Sequence, residues 1–194
     1  MRTTIALGRA TILIAAFLSL AIALAGCRSE TAAKPEAETP IKTTSKDIRI
    51  DAGAPNPVTD SQGRLWQADT GFTGGQVVDR GPIPISNTPI PEIYRTEHYS
   101  MTAFSGPLPN GKYRVRLHFA ETYDGITAKG QRVFDVDVEG TPIKGLDVFA
   151  EAGGASRALV KEIPVSITDG KLDITFTPVT QNPEINGIEI IPAK

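Results

Sequence analysis

The sequence predicts an all-β protein built as an antiparallel β-sandwich, on three observations. Apolar residues alternate with polar ones in several short runs, the signature of strands with one buried face. Gly (18) and Pro (15) punctuate the chain at short intervals, which disfavours long helices. Asn110-Gly111 and Asp169-Gly170 stand between apolar runs as turn signals, expected to join neighbouring strands antiparallel.

Taken in order, the chain opens with a targeting layout. Arg2 and Arg9 flank a short polar start, an apolar run extends from Ala10 to Ala25, and Gly26 and Cys27 follow. Leu24, Ala25, Gly26 and Cys27 resemble the lipobox of bacterial lipoproteins, which implies cleavage before Cys27 and lipidation of its thiol. Cys27 is the only cysteine, so an exported chain has no internal disulfide to place it in. Residues 1–26 are therefore read as a signal peptide, and Cys27 as a lipid attachment point that ties the protein to the cell envelope. The expected location is the outer membrane or a periplasm-facing leaflet. Residues 27–46, with RSETAAKPEAETPIKTTSK after the cysteine, carry almost no large apolar side chains and read as a flexible tether spanning about 25 Å.

Residues 47–194 form the single expected domain. Asp47 to Asp51 reads as a strand, and Gly71 to Pro91, with Gly74-Gly75, Gly81 and several prolines, as a long loop. Tyr113, Val115, Leu117 and Phe119 alternate with charged residues in the clearest strand. Phe134, Val136 and Val138, then Ile163, Val165 and Ile167, then Leu172, Ile174 and Phe176 repeat the pattern, and Ile188 and Ile190 close it. Trp66, Phe72, Tyr94 and Phe104 are expected to pack in the core or anchor loops.

Five segments then resemble the malectin family of carbohydrate-binding domains, in the same order and at similar spacing: IRIDAG (48–53), YRTEHY (94–99), YRVRLHFAETY (113–123), GQRVFDVDVEG (130–140) and NPEINGIEI (182–190). The resemblance covers nearly the whole domain. It implies a jelly-roll sandwich of the galactose-binding-like kind, with a sugar held by aromatic side chains on loops at one end. The family's aromatics carry over to Tyr99 and Tyr123. At three family positions this chain differs, with Arg80 for a loop aromatic, Asp124 for the aromatic after Tyr123, and Gln181 for a carboxylate before Asn182, so residues behind the family's glucose-disaccharide preference are replaced. Tyr99 and Tyr123 offer flat rings for sugar C–H faces, while Arg80, Asp124, Gln181 and Asn182 could grip hydroxyls.

The residues offer little else. With 20 Lys plus Arg against 22 Asp plus Glu, no basic excess invites nucleic acid. Asp135 and Asp137 share a strand face about 6.6 Å apart, but on a solvated face that would not raise either pKa for acid catalysis. Asp135, Asp137 and Glu139 along a straight strand cannot wrap a calcium ion. His98 and His118 lack a nucleophile or a metal-spaced partner. No catalytic residue, metal or cofactor is expected, and Glu121 with Asp124 is the weakest alternative, a hydrolase pair. The expected function is non-catalytic binding of an oligosaccharide or other glycan. The rival is a structural or protein-binding envelope module of the same fold that recognises an envelope protein partner and no sugar.

Overall fold

The computed structural model describes residues 46–193, so the signal-peptide, Cys27 and tether readings lie outside the described residues except at Lys46. The strands are β1 (Ile48–Asp51), β2 (Val58–Thr59), β3 (Leu65–Trp66), β4 (Phe72–Asp79), β5 (Thr96–Pro107), β6 (Gly111–Phe119), β7 (Val133–Val138), β8 (Thr141–Leu146), β9 (Leu159–Ile167), β10 (Lys171–Thr180), β11 (Glu184–Ile185) and β12 (Gly187–Pro192). Among the described residues, one α-helix, α1 (Val148–Ala152), starts at Asp147, whose side chain caps the Ala150 amide, and stops at Gly153 in the left-handed region. Four strands form one sheet in the order β1-β12-β6-β9; a larger one runs β11-β5-β10-β7-β8, with β4 on the second edge of β5; and β2 pairs with β3 in a small third sheet. Every strand-to-strand ladder is antiparallel, giving the jelly-roll sandwich.

The alternation fixes which faces meet. Tyr113, Val115, Leu117 and Phe119 of β6 point inward against Phe134, Val136 and Val138 of β7, and Ile163, Leu172, Ile174, Ile188 and Ile190 complete the core. Trimming Phe119 or Phe134 to Ala would open a cavity costing about 3–5 kcal/mol. A second apolar cluster, Trp66, Ile90, Ile93 and Tyr94 with Ala120 and Ala158, forms apart from this core. The four aromatics expected to pack do so: Trp66, Tyr94 and Phe104 are buried, Phe72 is half-buried, and Trp66 Nε1 donates to Asp60 Oδ2 at 2.9 Å.

Two sequence expectations need correction. Asn110-Gly111 joins β5 to β6 and Asp169-Gly170 joins β9 to β10, and in each case the two strands belong to different sheets. These turns are corners of the sandwich, not hairpins. They are latched to each other: Asn110 Nδ2 donates to the Thr168 carbonyl at 3.0 Å, and the Gly170 amide donates to Asn110 Oδ1 at 2.9 Å. The tight hairpin is instead β7–β8, through Glu139 (φ 51°) and Gly140 (φ 75°), a pair of positive φ angles that matches strand twist. The stretch read as a loop from Gly71 holds β4, an edge strand paired with β5 along its length. Its alternation is hidden because Gly74 and Gly75 both take positive φ and shift the register between Thr73 and Gly74.

Candidate functional site

At one end of the sandwich the exits of β4, β6 and β10 meet the starts of β5 and β7. There a cavity of about 310 Å³ is lined by Val78 and Arg80 from the end of β4, Tyr99 and Glu97 from β5, Tyr123 after β6, Arg132 before β7, and Gln181 and Asn182 after β10. Tyr99 sits opposite Gln76 across the β4–β5 ladder and donates its hydroxyl to Gln76 Oε1 at 2.7 Å. Tyr123 stands 47% exposed, in a turn closed by the Ile126 amide on the Tyr123 carbonyl. Gly125 makes room for that ring, because a Cβ there would lie 2.4 Å from the Tyr123 Cε1 atom. The Arg80 guanidinium lies over the same ring, 5.8 Å from its centre, an attraction of about 0.5–1 kcal/mol at such a site.

Beneath the cavity runs a buried ionic layer that holds these loops. Arg80 Nη2 donates to Glu97 Oε1 at 2.8 Å, and Thr122 Oγ1 to Glu97 Oε2 at 2.6 Å. Arg132 Nη1 donates to the Asn182 carbonyl at 2.9 Å, and the Tyr123 amide donates to Glu121 Oε1 at 3.0 Å. Arg132 Nε stands 2.7 Å from Glu121 Oε2, an ion pair whose N–H does not point straight at the oxygen. Glu184, opposite Tyr99 in the β11–β5 ladder, is fully buried and neither of its oxygens finds a partner. Three carboxyls thus share two guanidiniums. Burial pushes the Glu184 carboxyl well above the usual carboxylate range, reinforced by the charges of Glu121 and Glu97. Burial also raises Glu121, against the pull of Arg132.

Five of the six sequence-derived candidates, Tyr99, Tyr123, Arg80, Gln181 and Asn182, border this one cavity. Asp124 does not; it borders a neighbouring depression with Thr127 and Phe149, on which Tyr123 also opens. Glu97 and Arg132 escaped the sequence reading. Arg132 had left a signal: it is in phase with the inward Phe134, Val136 and Val138, so a guanidinium was due on the core face and would need partners there. Glu121, weighed as a hydrolase acid, is instead tied to Arg132 and the Tyr123 backbone. Asp135, Asp137 and Glu139 each accept from a backbone amide, of Gly145, Gly140 and Asp173 respectively. His98 bridges Asp69 Oδ1 and the Gly74 carbonyl, both at 2.9 Å.

The chain matches the family model described as Malectin domain over residues 46–190. It is 38% identical to Malectin-B of Xenopus laevis over 115 residues, 53% of this chain and 41% of that protein. Among solved structures, a β-glucuronidase of Bacteroides uniformis superposes with a TM-score of 0.69 at 20% identity, over 77% of this chain and 18% of the enzyme. The extracellular domain of ANXUR2 from Arabidopsis thaliana does so with a TM-score of 0.66 at 18% identity, over 76% of this chain and 48% of the receptor domain. This chain spans about two fifths of the length of Malectin-B, and the two solved structures share its fold.

Proposed function

Since the chain belongs to the malectin domain family, we propose that it is a non-catalytic carbohydrate-binding protein that holds an oligosaccharide in the end cavity. The observation that supports this most is the convergence of Tyr99 and Tyr123 on one cavity ringed by Arg80, Gln181 and Asn182. A sugar needs flat rings against its C–H faces and fixed donors and acceptors at its hydroxyl edges, and this set supplies both. Arg80 stands where the family has an aromatic and lies over one face of the Tyr123 ring, beside which a ligand would sit. The open site predicts micromolar to millimolar affinity, about 4–8 kcal/mol. The lipobox reading adds that Cys27 carries the domain at the cell envelope, where many copies would gain by avidity.

The test is a titration of the protein with a panel of oligosaccharides, followed by tyrosine and tryptophan fluorescence, beside Tyr123→Ala. Binding that weakens at least about tenfold in the variant supports the reading. Silence across the panel, or binding indifferent to Tyr123→Ala, refutes it and leaves the protein-binding envelope module as the better account. Radiolabelled palmitate incorporated by wild type and lost in Cys27→Ser tests the anchor.

A further inference from the structure

A second cavity, of about 460 Å³, opens on the outer face of the sheet β1-β12-β6-β9, between the loop bearing Arg64 and the segment from Asn87 to Ile90. An outward sheet face is normally wet. Here its floor is not: Tyr94, His118 and Glu189 are 1%, 4% and 2% exposed. The His118 imidazole is fixed by the Tyr94 hydroxyl on Nδ1 at 2.8 Å and by the Trp66 ring, edge-on at 5.4 Å. Its Nε2 has no hydrogen-bond partner, and Glu189 Oε2 stands 3.8 Å away, too far for a direct bond. A buried polar atom left unpaired costs about 1–3 kcal/mol. A single hydroxyl placed between that nitrogen and that oxygen would pair the nitrogen and add a donor to an oxygen that otherwise has only Arg116 Nη1, at 3.4 Å.

The rest of the lining narrows the ligand. Arg64 and Arg116 face the cavity beside Glu162 and Glu189, so cations and anions are matched. Both guanidiniums are already engaged, Arg64 Nε with Asp60 at 2.7 Å and Arg116 Nε with Glu162 at 2.6 Å. A charged ligand gains nothing from such a wall, whereas one offering uncharged donors and acceptors meets both kinds of partner. Pro89, Ile90 and the exposed Val160 supply apolar surface for C–H groups. We infer that this cavity is a second binding site, for a neutral polyhydroxylated ligand, one hydroxyl of which bridges His118 Nε2 and Glu189 Oε2. It uses none of the residues of the end cavity, so the domain is bivalent.

The chain has only two histidines, His98 and His118, which makes the imidazole an uncluttered reporter. Full-length protein carrying ¹⁵N-histidine is titrated with maltose, cellobiose, lactose and glycerol, following the His118 ring nitrogens by NMR. The expected result is a saturable shift of Nε2 with at least one probe, retained in Tyr123→Ala and weakened at least about tenfold in Val160→Arg, which obstructs the mouth from an exposed strand position and leaves the buried floor intact. A response to a disaccharide but not to glycerol assigns the site to saccharides, and a response to glycerol as well assigns it to polyols in general. A His118 ring unmoved by every probe overturns the inference. So does a shift that vanishes in Tyr123→Ala, since it would then be relayed from the end cavity. A His118 response in a protein whose end cavity stays silent upholds this site while refuting the other.

Discussion

The two buried charge clusters use the same residue types to opposite ends. Under the end cavity, Glu97, Glu121 and Glu184 share Arg80 and Arg132, and the surplus acid is pushed toward its neutral form. On the outer face of the other sheet, Glu189 has Arg49 Nε at 2.7 Å, Arg116 Nη1 at 3.4 Å and Arg64 Nη1 at 3.7 Å. Burial alone would raise its pKa, but the hydrogen bond and charge of Arg49, with the His118 ring nearby, win and bring it down to about 2. Counting carboxyls against guanidiniums, rather than burial as such, decides whether a buried acid carries charge.

The largest effect that could break this comparison comes from Glu189→Gln. It leaves guanidiniums facing a neutral amide, and equilibrium denaturation should report a loss of about 3–5 kcal/mol. In wild type the Glu189 contribution is present above the unfolded-state pKa of 4.5 and lost as pH falls toward 2, because its folded pKa is depressed. Glu184→Gln should cost far less, under about 1 kcal/mol, since an amide replaces an acid that burial pushes toward its neutral form; a loss as large as that of Glu189→Gln would show Glu184 to be ionised and the contrast false.

A third buried acid sharpens the point through pH. Burial pushes Asp51 up to about 7, against a hydrogen bond from Thr96 Oγ1 at 2.6 Å and with the charges of Asp69, Asp79 and Glu92 adding to the rise. A raised carboxyl is protonated more readily in the folded state, so its stabilisation is present below pH 3.8 and lost as pH rises through about 7. The melting temperature of wild type should fall over that window, and Asp51→Asn, which keeps an acceptor for Thr96, should flatten the fall. The smallest effect belongs to Gly125→Ala. Its methyl displaces the Tyr123 ring, a movable side chain, so saccharide affinity should drop about three- to tenfold by calorimetry with less than about 1 kcal/mol of lost stability.

The parts of the fold that the sequence made legible are those where alternation runs unbroken: β6, β7, β9, β10 and β12 were all readable from inward Tyr, Phe, Val, Leu and Ile. β4 and β5 were not, because Gly74, Gly75 and Ser100 take positive φ inside them and break the period of two. Turn dipeptides misled as to pairing, since a tight turn can close a corner between sheets as well as a hairpin within one. Tyr99, Tyr123 and Asn182 lie in the ordered motifs, Arg80 and Gln181 came as positions where the chain departs from the family, and all five meet at one cavity, whereas Glu97, Glu121 and Glu184, brought together from distant segments, have no local pattern that could pair them with Arg80 and Arg132.

The latch at Asn110 bears on how the protein ages. An Asn followed by Gly invites attack of the next backbone nitrogen on the side-chain amide, which converts it to a carboxylate over time. Two hydrogen bonds pin the Asn110 amide against Thr168 and Gly170, and any rotation of that amide toward the attacking nitrogen would have to break them. Were the conversion to happen, a negative oxygen would replace the Nδ2 donor opposite the Thr168 carbonyl, and the two corners would repel where they now clasp.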